Sequence, residues 1–203
     1  MADRIRLLER RDIDELIILD VSERAPRYDE LSRLCDPLFC PVTVGGGVRD
    51  VAGIRRLLAG GADKVAINSA ARAAPELITN ASAKFGSQSI VISIDAGPGG
   101  MAADAAAPWA VECERRGAGE ILLTSMDHDG MMDGYDLDLI RSVSSAVSIP
   151  VIAAGGCGSY DDMVAAMQAG AHAVASGAAF QFKEITPKGA ARYLAAHGIA
   201  TRT

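Results

Sequence analysis

ERRDIDELIILD at residues 9–20 returns as ERRGAGEILLTS at residues 114–125. In both copies Glu-Arg-Arg leads through a three-residue step into an apolar run opening on a glutamate, Glu15 or Glu120. Working outward, PVTVGGG (41–47) aligns with PVIAAGG (150–156), and GADKVAINSAA (61–71) with GAHAVASGAAF (170–180). The offset is 105 residues for the first pair (15 to 120) and 109 for the others (41 to 150, 61 to 170). A period of about 110 residues is far longer than the ~20–50 residues of a solenoid unit, and it matches four βα units, half of an eight-stranded barrel.

The segments between the repeats support that reading. Apolar, β-branched runs recur at 15–20, 41–46, 64–69, 89–95, 120–125, 150–156 and 173–180. Most are continuous rather than alternating, as in strands covered on both faces. Helix-period stretches separate them. VAGIRRLLAGG follows Asp50 as N-cap, SYDDMVAAMQAG opens on Ser159, and PELITNASAKFG starts with proline and stops at Gly86. PWAVECERRG, LDLIRSVSSAV and ITPKGAARYLAAHG supply the remaining helices. Strict βαβα order predicts an α/β fold with a parallel sheet and right-handed crossovers. A doubly wound sheet would want GxGxxG after its first strand. GGGVRD (45–50) follows a middle strand and lacks that spacing.

The predicted architecture is therefore a (β/α)8 TIM-type barrel in a single domain, 1–203, with half-repeats of approximately 1–86 and 87–203. The second half carries four strands and the first half three. The opening helix ADRIRLLERR matches PWAVECERR, so the first strand is the one missing, ahead of Met1. A barrel short of one stave has two unpaired edges. Either another segment or subunit closes the gap, or the chain is a shortened version of a longer protein.

Bulk properties narrow the function. The net charge of −6, with lysine and arginine dispersed, argues against nucleic-acid binding, which needs a basic stripe. No apolar run approaches the ~20 residues of a membrane helix, and MADRIRLLERRD is too charged for a signal peptide. Cys35, Cys40, Cys113 and Cys157 form no CxxC pair or zinc spacing. They read as reduced thiols in a cytoplasmic protein, with no metal and no cofactor expected. At 4% aromatic residues the core must be aliphatic and alanine-rich.

GGGV with GADKVAINSAA, followed by FGSQSIVISIDA, RGAGEILLTSMDHDG, GYDLDLIRSVSSAVSIPVIAAGGCG and AFQF, resembles the cyclase subunit of imidazole glycerol phosphate synthase and its close paralogues over residues 9–197. The resemblance implies a half-barrel duplication and a lyase-type enzyme of histidine biosynthesis. It implies a glutaminase partner in a heterodimer, whose ammonia passes through the barrel. At the far face the ammonia would convert a doubly phosphorylated ribulosyl-formimino carboxamide ribonucleotide to imidazole glycerol phosphate. Two alternatives stay open. One is a paralogue delivering ammonia for amidation of a surface-polysaccharide sugar; such relatives resemble SQSIVISID and SIPVIAAGG and can lack the first-strand aspartate. The other is a degenerate scaffold for a glutaminase.

Gly47, Asn68 and Ser69 end neighbouring strands at the C-terminal rim, where barrel enzymes bind ligands. Glycine lets the backbone approach an anion, and N–H groups with a hydroxyl donate to it. Gly156, Gly177 and Ala178 repeat the pattern, so two phosphates have two predicted seats; Ala178 stands where the family usually has a hydroxyl. As turn residues these glycines would need no ligand. Asp95 closes an apolar strand, an expensive place for a carboxylate unless it is paired or used. It matches the family's general acid/base aspartate, or else caps the turn that follows. The resemblance places the other catalytic aspartate on the missing strand. Asp20, Thr43, Thr124, Asp127 and Asp129 are predicted to orient substrate or to serve as caps, and His128 replaces a family arginine. At the opposite ends of the strands, Glu15, Lys64 and Glu120 match the charged ammonia gate, and Asp63 matches the glutaminase-facing aspartate. A structural salt-bridge ring would explain the same charges.

Overall fold

The computed structural model describes residues 12–22, 27–35 and 38–201. The opening helix expected at 2–11 lies outside them. In chain order the elements are β1 (Leu16–Leu19), α1 (Tyr28–Cys35), β2 (Val42–Gly45), α2 (Val51–Ala59), β3 (Lys64–Ile67), α3 (Ser69–Ala73), α4 (Glu76–Phe85) and β4 (Ile90–Ala96). There follow α5 (Ala103–Arg115), β5 (Glu120–Ser125), α6 (Leu137–Ser144), β6 (Val151–Ala154), α7 (Tyr160–Gln168), β7 (Ala173–Val174), α8 (Ala178–Phe182) and α9 (Pro187–Ala196).

The strands pair in parallel, and their order follows the chain from β1 to β7. A doubly wound sheet reverses its strand order at a switch point. There is no reversal here, so the winding is that of a TIM-type (β/α) fold. The seven strands are the seven expected from the sequence. Among the described residues no helix is long and apolar enough to cross a membrane.

Two compact units make up the chain: Met1–Ile92 with Arg115–Gly119, and Ser93–Glu114 with Glu120–Thr203. The division runs through β4. In the first unit Val44, Ile54, Leu57, Val65, Ile67, Ile78, Ile90 and Ile92 are buried. In the second, Ile94, Ile121, Leu123, Val151 and Met163 join small residues such as Ala106, Ala110, Cys113, Ala166 and Ala179. Ala106, Ala110 and Cys113 fall at helical spacing on the buried side of α5. That helix begins at Ala103, well before Pro108; the alanines favour helix, and Pro108 is exposed. None of the four cysteines is in a disulfide, and three are buried.

Taken separately, each unit builds its elements to one plan. Helices α2 and α7 are both nine residues, N-capped by Asp50 onto Gly53 N–H (2.7 Å) and by Ser159 onto Asp162 N–H (3.2 Å). The positions correspond at 109 residues (50 to 159, 53 to 162). Ala62 N–H bonds Leu57 O at 3.1 Å, as Ala171 N–H bonds Ala166 O at 3.1 Å. Leu16 N–H donates to Pro41 O at 3.0 Å, and Ile121 N–H to Pro150 O at 2.9 Å. Even the five-residue helices α3 and α8 coincide in the repeat.

The expectation of one strand over 173–180 is corrected. β7 covers Ala173–Val174 only, and Ala178–Phe182 is helix α8. Alanine is a weak strand former and the best helix former. The first unit breaks at the same place, where β3 gives way to α3 at Ser69.

Candidate active site

In the first unit β2 ends on three glycines. Gly46 and Gly47 have φ of 103° and 65°, a conformation that favours glycine. A Cβ on Gly46 would lie 2.1 Å from Asp20 O, so the backbone after β1 touches the turn after β2. The second unit repeats this close approach: a Cβ on Gly155 would lie 2.5 Å from Ser125 O. Gly47 is exposed, as is Ser69, the first residue of α3; Asn68 stands at its N-cap position without capping it through its side chain.

The second rim differs in one respect. Gly156 is buried, because the 128–134 loop lies on it. Gly134 N–H donates to Gly156 O at 2.9 Å, and a Cβ on Gly156 would meet Gly134 O at 2.0 Å and His128 Cβ at 2.9 Å. Gly177 precedes α8, exposed, with nothing within 4 Å of its Cβ direction, and Ala178 beside it is half-buried.

Asp95 is the sixth residue of β4 and half-buried. Ser93, on the same strand face two residues earlier, donates to Asp95 Oδ1 at 3.3 Å. The turn that follows closes tightly: Met101 N–H reaches Asp95 O at 2.8 Å, and Gly97 N–H reaches Met101 O at 2.8 Å. The main chain of Asp95 thus closes the turn, while its carboxylate stays beside Ser93. Asp127 Oδ2 lies 3.0 Å from the Cβ direction of Gly97, next to that turn.

Asp20, just past β1, accepts Ser22 N–H at 3.0 Å and pairs with Arg27 Nε at 3.3 Å. The Ser22 amide first, and then the Arg27 guanidinium, hold its carboxyl down at about 2. Thr124 sits next to the end of β5, paired with Ala154 at the end of β6. Thr43 is different: it is 1% exposed, pairs with Lys64 at the start of β3, and lies inside the sheet below the rim. Asp129 is exposed on the loop. His128 Nδ1 meets Asp133 Oδ1 at 3.0 Å, and that bond raises the imidazole's pKa.

At the opposite strand ends, Lys64 Nζ reaches Glu15 Oε1 and Oε2 at 3.2 and 3.1 Å. Asp63 binds the base of β2: its Oδ2 accepts Val42 N–H at 2.8 Å, and its own N–H donates to Val42 O at 2.9 Å. Glu120 opens β5, half-buried.

A sequence profile described as "Histidine biosynthesis protein" matches residues 1–186 of this in-order, twice-repeated strand–helix pattern. The chain belongs to that family. Histidine-biosynthesis enzymes of this family share the TIM-type fold.

Three neighbours of the family-type site were missed in the sequence reading. Ser93 had a usable signal, a hydroxyl two residues before a strand-end carboxylate. Arg27 had none, since its pairing to Asp20 depends on where the chain returns before α1. Tyr135 donates to Ala175 O at 3.0 Å and is buried beside Cys157. Burial pushes both the phenol and the thiol up, so both stay protonated and structural.

Proposed function

We propose that this chain is a cyclase-type subunit of imidazole glycerol phosphate synthase. With ammonia from a glutaminase subunit, it would convert the doubly phosphorylated ribulosyl-formimino carboxamide ribonucleotide to imidazole glycerol phosphate and an aminoimidazole carboxamide ribonucleotide. The observation that carries this is the duplicated rim, where glycine backbones after β2 and β6 share the same close approach to the preceding strand. Each cradle, with Asn68 and Ser69 beside the first and Gly177 and Ala178 beside the second, suits one phosphate group. Asp95, held by Ser93 at the end of β4, is the group to move protons as ammonia adds and the ring closes. Glu15, paired with Lys64, and Glu120 are the candidate gate residues for ammonia at the other strand ends, and Asp63 is the candidate glutaminase-facing residue.

The test is turnover of the ribonucleotide by the purified protein with ammonium salt, alongside Asp95→Asn. Production of imidazole glycerol phosphate, lost in the variant, supports the cyclase. No turnover, with glutaminase binding retained, removes the cyclase and leaves the sugar-amidating paralogue or the scaffold.

A further inference from the structure

The two rims differ in where their positive charge comes from. At 109 residues' spacing (49 to 158, 74 to 183), Arg49 corresponds to Gly158 and Ala74 to Lys183. Arg49 and Ala74 line one groove in the first unit. In the second unit the two corresponding positions are in contact. Lys183, just past α8, folds back so that Nζ donates to Gly158 O at 2.7 Å. A Cβ on Gly158 would lie 2.9 Å from that Nζ and 2.2 Å from Met132 O. The Met132 main chain fills the space a Cβ on residue 158 would take, and the Lys183 ammonium lies at the edge of the same space. The cation that the first loop carries itself is delivered to the second loop by Lys183.

Among the described residues the Lys183 ammonium has Gly158 O as its single hydrogen-bond partner, and no carboxylate pairs with it. The nearby Asp162 carboxylate is engaged by Gly158 N–H at 2.9 Å and by no cation. An ammonium has three N–H donors. Two therefore remain on a positive charge anchored two residues past Gly156 and on the same short connection as Gly177 and Ala178. That rim is also the one where an alanine replaces the hydroxyl of Ser69.

We infer that Lys183 is a phosphate-binding residue of the second rim, supplying by charge what Ala178 lacks as a donor. It would make the second seat selective for a dianionic phosphate over a neutral hydroxyl group, since an ammonium acts on phosphate as a point charge. This rests on the phosphate reading of the rim at Gly156, Gly177 and Ala178.

The probe is inorganic phosphate, titrated into the isotopically labelled protein while the amide resonances of both rims are followed by NMR. Lys183→Met should weaken the response of Gly177 and Ala178 about tenfold, the scale of one charge-assisted hydrogen bond at a partly exposed site. Lys183→Arg should restore it, and Gly47 and Ser69 should respond unchanged in both variants. Equal affinity in wild type and Lys183→Met overturns the role of Lys183 while leaving the rim a phosphate site. No response at Gly177 and Ala178 in the wild type overturns the rim reading itself. Should the methionine variant lose its dispersed spectrum, the ammonium resonance of Lys183 in the wild-type protein decides: a shift on adding phosphate supports the contact, and none removes it.

Discussion

Asp63 clamps Val42 by two hydrogen bonds, its carboxylate accepting the valine N–H at 2.8 Å and its own N–H meeting the valine carbonyl at 2.9 Å. In the second unit His172 does the same to Val151, through Nδ1 at 3.3 Å and through its N–H at 2.8 Å. The two sides of the repeat keep the clamp and change its chemistry, which points to a structural duty for the position in addition to any partner contact. Val42 is buried, so removing its acceptor strands a donor at about 1–3 kcal/mol. Asp63→Ala should lower the urea midpoint by an amount of that order, and Asp63→Asn, which keeps an acceptor oxygen, by much less. Identical midpoints for Asp63→Ala and wild type would count against the clamp.

Asp20 should titrate far below an ordinary carboxylate. Its folded value is about 2, against 3.8 for the unperturbed group. A depressed carboxyl contributes stability that is complete above the unfolded value and is lost as pH falls through the folded one. The contacts of Asp20 with Ser22 and Arg27 should therefore weaken as pH falls from the unfolded value toward about 2, as followed by the Asp20 carboxyl resonance. Because the Ser22 amide contributes more than Arg27, Arg27→Gln should raise the midpoint only part of the way to 3.8.

The His128–Asp133 pair carries the opposite sign. The imidazole's folded pKa is raised, chiefly by the Asp133 hydrogen bond. Its contribution to holding the 128–134 loop is full below the unfolded value of 6.5 and is lost as pH rises through the folded one. Asp133→Asn should bring the His128 ring resonances back toward an ordinary histidine midpoint. It should also speed amide exchange at Gly134, whose N–H rests on Gly156 O. An unmoved midpoint would mean the 3.0 Å contact does not persist in solution.

The winding was legible because its signals are local and repeated. Apolar runs bounded by Asp50, Ser159, Gly61 and Gly170 mark β-strand and helix ends whatever the tertiary context. The repeat of GADKVAINSAA in GAHAVASGAAF located the rims before any coordinates. The misreading at 173–180 has a physical cause: alanine and glycine runs satisfy a continuous-apolar criterion while lacking the β-branched side chains that hold a strand. Thr43, predicted to orient substrate or to cap, is buried and pairs with Lys64 at the start of β3, a register that sequence does not display. Lys183 was invisible for a similar reason, since its partner Gly158 lies 25 residues away and carries no side chain to signal the contact.

Lys64 and Glu15 offer a test that separates a gate from a brace. Glu15 is 40% exposed at its side chain, and an exposed ion pair contributes about 0–1 kcal/mol. Lys64→Ala should therefore change stability little. If the pair gates ammonia under the proposed function, turnover driven by glutamine through the glutaminase should fall relative to turnover driven by added ammonium salt. Equal losses in the two assays would make it a brace.

Asp95 and Ser93 should separate by role. On the proposed cyclase reading Asp95→Asn removes the proton-transferring group, and a group of that kind contributes about 10²–10⁴-fold. The loss should fall on kcat with KM for the ribonucleotide little changed. Ser93→Ala removes only the 3.3 Å donor to Asp95 Oδ1. That bond orients the carboxylate, so without it kcat should fall modestly while KM for the ribonucleotide stays near the wild-type value. Should Ser93→Ala and Asp95→Asn be equally inactive at every pH, Ser93 would have to act on the substrate directly. Should Asp95→Asn retain wild-type turnover, the half-buried carboxylate at the end of β4 belongs to its turn and the chemistry lies elsewhere on the rim.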